Sequence, residues 1–203
     1  MRNLPVLTLL CFALAAAPTH AQRSSNTALR EHVGTSVGYR VGIPERWELK
    51  EEGEELTATN GRVTLFLGVR DLVTEKRESR LPVSPAESRR IMTNFFMGSD
   101  SLLLGLMDRM RVEMMEERGV HCTQLTREVR ELAGQHAGFL SLRCDRGRRE
   151  SVRFDSWLTV KDGVAYLLMY LGEPKDHAAN EPLFDRVRQS LVLADTPPAG
   201  AAQ

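Results

Sequence analysis

The sequence lacks an excess of either charge: 27 basic residues stand against 27 acidic ones in 203 positions, a formal net charge of zero. No global field therefore draws the chain to nucleic acid or to an acidic substrate, and any electrostatic attraction has to come from a local patch. Catalytic signatures are missing as well. The elbow that presents a serine nucleophile needs Gly-x-Ser-x-Gly, and the nearest string, Met97-Gly98-Ser99-Asp100-Ser101, lacks the second glycine that lets the chain turn sharply. It reads as a helix junction. His32, His121, His136 and His177 include no pair at the i, i+4 spacing of a helical zinc site, and no Cys-x-x-Cys accompanies them. His121 beside Cys122 is the nearest approach to a metal pair, and an oxidised cysteine is no thiolate ligand. No glycine-rich phosphate cradle occurs. Glu51, Glu52, Glu54 and Glu55 flank Gly53 without the apolar wall that would raise one carboxyl pKa, so they read as a charged turn between strands. From these absences the expectation is no catalytic residue, no cofactor, no metal and no nucleic-acid partner.

What is present is the composition of a folded soluble protein, 42% hydrophobic and 27% charged, which sets aside disorder, collagen and a multi-span membrane protein. Residues 1–21 read as a signal peptide. Arg2 supplies the positive start, and Leu4 to Ala17 is apolar apart from Pro5 and Thr8, too short to span a bilayer. Thr19-His20-Ala21 fits the small-x-small cleavage rule and places the mature start at Gln22. Cys11 lies in the middle of the apolar run, not at its end, so a lipid anchor is not expected. The mature chain is expected to be periplasmic or secreted, without a transmembrane anchor, and monomeric. It keeps Cys122 and Cys144, which in an oxidising compartment read as a single disulfide. Their numbers centre on residue 133, where Ala133-Gly134 carries the turn signal, so a hairpin with an odd-length loop would set them directly opposite on the face of Leu140 and Leu142.

Residues 22–38 are polar and 194–203 carry no apolar period, so both are expected to be mobile, leaving 39–193 as a single domain. Tyr39 to Ile43 alternates as a strand stopped by Pro44, and Trp47-Glu48-Leu49 resumes an extended course. Leu56 to Val69 reads as a hairpin about Asn60-Gly61. Asp71 to Pro82 reads as a surface loop. Ser84, Pro85 and Glu87 then form a helix start, with Ile91, Phe95 and Phe96 as that helix's apolar side. A second helix, from Ser99 or Asp100 to Glu117 or Arg118, carries Leu103, Met107, Met110 and Met114 as a stripe. Methionine-rich surfaces can bind apolar ligands or soft copper, but helical spacing makes core packing the stronger reading. Cys122–Glu131, Gln135–Cys144, Glu150–Val160 and Val164–Leu171 form a meander with turns at Ala133-Gly134, Asp145-Arg146-Gly147 and Lys161-Asp162-Gly163. A last helix starting near Asn180 has Pro182 in its first turn and Leu183, Phe184, Val187 and Leu191 as its apolar face. This order predicts an α+β domain, one mostly antiparallel sheet with helices packed on it.

Three stretches carry a resemblance to a known family. The opening Tyr39-Arg40-Val41-Gly42-Ile43-Pro44-Glu45-Arg46-Trp47, the middle Gly138 to Leu142 with Trp157 to Leu168, and the end Pro182 to Leu191 are similar to the PsbP-like proteins. Those proteins share an α-β-α sandwich with the Ran-binding Mog proteins and several exported bacterial families. The resemblance spans roughly Tyr39 to Val192, and its motifs are packing patterns, not sites. It implies the sandwich fold and an exported, non-enzymatic binding or assembly-accessory role, with a secreted hydrolase or metal-dependent enzyme as the opposing class. It assigns no functional residue.

The sharpest local charge feature is Arg143, Arg146, Arg148, Arg149 and Arg153, gathered around one turn with Asp145, Glu150 and Asp155 between them. Such a cluster can hold an anionic ligand or the acidic face of an envelope protein. It can instead be a solvated hairpin tip whose arginines form ion pairs with those acids, and this is the stronger expectation.

Overall fold

Turn chemistry and side-chain alternation decide where the chain folds back. The structure is a computed structural model that describes residues 27–34, 38–72, 85–118, 120–146 and 150–193. The expected signal peptide, most of the surface loop and the C-terminal tail lie outside these residues. The elements run β1 (Leu29–Val33), β2 (Tyr39–Pro44), β3 (Glu48–Glu52), β4 (Glu55–Thr59), β5 (Val63–Asp71), α1 (Pro85–Met97), α2 (Asp100–Arg118), β6 (His121–Leu132), β7 (Gln135–Arg146), β8 (Glu150–Lys161), β9 (Val164–Gly172), α3 (Pro174–Ser190) and β10 (Val192–Leu193). A seven-stranded antiparallel sheet has the order β3-β4-β5-β9-β8-β7-β6, and a smaller sheet has the order β1-β2-β10. Leu29–Val33, inside the segment expected to be mobile, pairs with β2 as an outer strand.

The hairpins are the ones their turn residues demand. Ala133 and Gly134, and again Asp162 and Gly163, all take positive φ between 50° and 74°. Two successive positive-φ residues make the turn whose twist matches the strands it joins. Asn60 closes the β4–β5 hairpin differently: its Oδ1 accepts from the backbone N–H of Arg62 and of Val63, each at 3.0 Å.

Alternation along the strands sorts the apolar side chains into two sets. Leu65, Leu67, Phe139, Trp157, Tyr166, Leu168 and Tyr170 join Leu183, Phe184 and Val187 of α3 and Tyr39, Val41 and Ile43 of β2 in one core. Their sheet neighbours of opposite parity, Phe66, Leu140, Leu142, Leu158, Leu167 and Met169, pack with Met107 of α2 in the other. Leu103 and Met107 of the expected stripe are fully buried, whereas the side chains of Met110 and Met114 lie outside the described set. The α2 backbone comes so close to β7 that a Cβ on Gly138 would sit 3.1 Å from Met107 Cγ and 3.3 Å from the Leu103 carbonyl oxygen. Gly138→Val should therefore push α2 off the sheet and cost about 1–3 kcal/mol by overpacking. Chemical denaturation of the variant tests this, and an unchanged midpoint would show that α2 yields freely.

Two helices depart from expectation. Ile91 and Phe95, read as the apolar side of α1, are half exposed or more. The last helix begins at Pro174, and Pro182 lies inside it. Pro174 supplies the first-turn proline and Asp176 the first-turn acid, so the signal read at Asn180 belongs to a helix already under way.

Candidate functional site

The register of the central strands lays four polar side chains in a row on the face that α3 covers. Thr126 pairs with Ser141, Ser141 with Asp155, and Asp155 with Tyr170. The first turn of α3 lowers His177 onto this row, where it is fully buried. Ser141 donates its hydroxyl to Asp155 Oδ1 at 2.5 Å. On the other carboxylate oxygen, His177 Nε2 lies 3.2 Å from Oδ2 in an ion-pair contact, not a linear hydrogen bond. Arg153 reaches back along its own strand, its Nη2 3.3 Å from Oδ2 and its Nε 3.4 Å from Oδ1. Burial pushes the Asp155 carboxyl up, but the contacts with His177 and Ser141 and the charges of His177 and Arg153 outweigh it, and hold the group below the ordinary carboxylate range.

Beside this row is a cavity of about 110 Å³, floored by Phe139, Trp157, Tyr170 and Phe184 and rimmed by Arg130, Arg153, Glu181 and Asp185. The rings form a continuous chain of contacts: Phe139 to Trp157 at 4.6 Å and Trp157 to Phe184 at 5.3 Å, both tilted, and Phe184 stacked on Tyr170 at 4.3 Å. The Arg130 guanidinium sits 3.7 Å over the Phe139 ring. Trp157 Nε1, the Tyr170 hydroxyl and His177 Nδ1 are buried without a hydrogen-bond partner among the described residues. The cavity is large enough for several waters or a small polar molecule to satisfy them. Burial, then the charges of Asp155, Asp176 and Glu181, raises the Tyr170 phenol, so it stays protonated and available as a donor.

The arrangement has the residue types of an acyl-transfer triad in the wrong order. A relay needs the imidazole between hydroxyl and carboxylate, so that it can take the hydroxyl proton. Here the carboxylate stands between the other two, and His177 makes no hydrogen bond to any hydroxyl among the described residues. Asp155, held in its ionised form, is also a weak base. The row is therefore built as a buried ion-pair network. No motif announced it, because Ser141, Asp155 and His177 come from β7, β8 and α3 and meet only through register. Among the described residues no group of three or more His, Cys, Asp or Glu side chains is placed to hold a metal ion.

The arginines expected at the β7–β8 turn separate into three groups. Arg148 and Arg149 lie outside the described residues, and of Arg146 only the backbone is described, opposite Glu150. Arg153 is drawn into the Asp155 network. Arg143 remains outside it: its Nε donates to Ser151 Oγ at 3.0 Å, a carboxylate oxygen of Asp145 is no nearer than 3.9 Å, and its side chain is 57% exposed. Arg143 and Arg153 stand directly opposite each other on the same face.

Cys122 and Cys144 are bonded to each other, and they share the α2 core with Leu140 and Leu142, as expected. The route to that pairing differs from the odd-length loop. The turn has two residues, flanked by Leu132 paired with Gln135, and in that register Cys122 would oppose Asp145. A β-bulge at Leu125, between Gln124 and Thr126, shifts the pairing by one and brings Cys122 opposite Cys144.

Fold comparison agrees with this geometry. The solution structure of cyanobacterial PsbP (CyanoP) from Synechocystis sp. PCC 6803 matches with a TM-score of 0.51 over 87% of this chain and 98% of that one, at 14% identity. The Ran-binding protein Mog1p of Saccharomyces cerevisiae is similar at TM-score 0.48, with 8% identity over 84% of this chain and 97% of its own. LpqN, involved in cell envelope biogenesis of Mycobacterium tuberculosis, is similar at TM-score 0.42, with 10% identity over 79% and 84%. No protein-family model matches the chain, and no curated protein matches it significantly. The chain thus has a PsbP-like fold. At this identity the likeness speaks for architecture alone. No helix among the described residues is long and apolar enough to cross a membrane.

Proposed function

We propose that the chain is an exported, non-enzymatic binding or assembly-accessory protein, an α-β-α sandwich of residues 39–193 edged by β1, that works after loss of residues 1–21. Its contact surface is the basic end of β7 and β8: Arg143, Arg146, Arg148 and Arg149, flanked by Arg153, acting on an anionic ligand or an acidic face of an envelope protein. The disulfide suits an oxidising compartment. The observation that carries the contact surface is the Arg143–Arg153 pair. Like charges directly opposite on one sheet face destabilise it, and only Arg153 has a buried carboxylate to offset the cost. Arg143 is left beside it with its Nε on Ser151 Oγ and its side chain more than half exposed, so that its terminal nitrogens can reach a carboxylate or phosphate.

Replacing Arg143, Arg146, Arg148 and Arg149 together by Ser should leave the melting temperature within a degree or two while abolishing capture of whatever species the oxidised wild type retains from an envelope extract. Added salt should release the same species. If that species survives both treatments, the contact surface lies elsewhere.

The opposing reading, a secreted hydrolase, draws on one observation, the gathering of Ser141, Asp155 and His177 at a cavity. A fluorophosphonate reagent separates the two readings. No labelling of Ser141 is expected, and stoichiometric labelling would overturn the non-enzymatic proposal.

A further inference from the structure

The last strand of the large sheet, β6, is twelve residues long, and among the described residues no strand pairs with its outer side. Edge strands of this length are templates for another chain unless something blocks them. The bulge at Leu125 kinks the first part of β6, which leaves Thr126 to Leu132 as the regular stretch. Within it the phase of the hydrogen bonds is fixed by the two-residue turn. Leu132 and Gln135 flank that turn and exchange both backbone bonds, and so by alternation do Arg130, Glu128 and Thr126 with their partners on β7. Arg127, Val129 and Glu131 therefore direct their N–H and C=O groups outward.

The side chains along this stretch read Arg127-Glu128-Val129-Arg130-Glu131, a pattern that changes sign under reversal about Val129. We propose that two copies of the chain join β6 to β6, antiparallel, on a twofold axis through Val129. In that register Arg127 faces the partner's Glu131 and Glu128 faces the partner's Arg130, so every charged side chain of the seam meets its opposite. The backbone phase agrees with the charges. Val129 and the partner's Val129 both point their polar groups at the seam, as do Arg127 and the partner's Glu131, for about six backbone hydrogen bonds in all.

Neighbouring registers are disfavoured. A slip by two residues sets Glu128 against the partner's Glu128, or Arg130 against the partner's Arg130. Glu128 and Arg130 are available for the seam, with side chains 46% and 43% exposed, and each already touches the other within its own strand. Dimerisation adds a second opposite charge to each. Arg127 keeps its contact of 3.1 Å with Asp108 of α2, on the other face of the sheet. A seam of one strand per copy is smaller than the roughly 1,200 Å² of a standard stable interface, so the dimer forms at high concentration and weakens with salt. This dimer stands in equilibrium with the monomer expected from the sequence and does not depend on the function proposed above.

Sedimentation velocity of the oxidised chain from about 1 μM to about 1 mM, at low and high salt, reads the equilibrium directly. Wild type should shift from monomer to dimer. Glu128→Arg alone and Arg130→Glu alone should each raise the apparent dissociation constant about tenfold or more, because each sets like charges opposite one another. An equimolar mixture of the two variants should form a heterodimer at least as readily as wild type dimerises, since arginine then meets glutamate at both positions. Val129→Pro, which removes an outward N–H and leaves the β7 ladder intact, should be monomeric with unchanged circular dichroism. Wild type that stays monomeric at every concentration overturns the proposal. So does a mixture that fails to associate, or a Val129→Pro variant that dimerises normally.

Discussion

Asp155→Ala is expected to destabilise the protein by about 3–5 kcal/mol at neutral pH, the usual cost of removing one partner from a buried charge network. The carboxylate accepts from Ser141, holds Arg153 and is the only ionised partner shown against buried His177 among the described residues. Its loss leaves buried Ser141 and His177 without their carboxylate contact and frees Arg153, which is partly exposed, from its buried anchor. The effect depends on pH with a definite sign. Because the folded-state pKa lies below the ordinary carboxylate value, the contribution is fully present above the ordinary carboxylate range and is lost as pH falls through the folded pKa. Urea denaturation of wild type and variant should give curves far apart at neutral pH that converge as the medium is acidified below that range. A separation under 1 kcal/mol, or one that does not change on acidification, would show that Asp155 is not held by this network.

Removing the disulfide is the second large change. Cys122 and Cys144 are 22 residues apart, and closing a loop of that size restricts the unfolded chain by about 3 kcal/mol in the chain-entropy account. The double variant Cys122→Ala/Cys144→Ala also deletes two sulfurs from the α2 core, so the loss should be at least that large. The melting temperature of wild type should fall on reduction with a phosphine, and the double variant should not respond to the reductant. A wild type indifferent to reduction would mean that the thiols are not joined in solution.

Where local chemistry decides structure, the sequence was readable. The turns at Asn60-Gly61, Ala133-Gly134 and Asp162-Gly163 fall where their residues place them, because positive φ or an Asx side chain is needed there. The Leu103 and Met107 stripe was readable for the same reason, helical period over a long run. The site was not. Asp155 looks like one acid in a charged hairpin until register puts Ser141 beside it and α3 brings His177 above it. The arginine turn was half readable: Arg153 meets Asp155 and Arg143 lies within 3.9 Å of Asp145, but no pattern says that only Arg153 meets a buried carboxylate. The disulfide pairing was inferred with the wrong loop, because a bulge has no sequence signature in Gln124-Leu125-Thr126 and changes both parity and register at once. The start of helix α3 is ambiguous in sequence because two prolines, Pro174 and Pro182, each fit a helix start, and only packing distinguishes them.

The hydrogen bond from Gly42 N–H to Ser190 Oγ, 2.7 Å long, joins residues 148 positions apart, and Val192 and Leu193 pair with Arg40 and Tyr39 of the same early strand. Ser190 in turn donates to the Val187 carbonyl at 2.6 Å, locking the end of α3 against β2. These links have a consequence in time. Tyr39 to Pro44 is synthesised among the first residues of the domain, yet α3 and β10, which bury it, are synthesised last. Until they emerge, the strand has only β1 beside it, and an isolated pair of strands is marginal in water. The domain therefore cannot close while it is being made. Its β2 side stays open until Pro174–Leu193 are free, and closing it is a long-range step of the kind that slows folding.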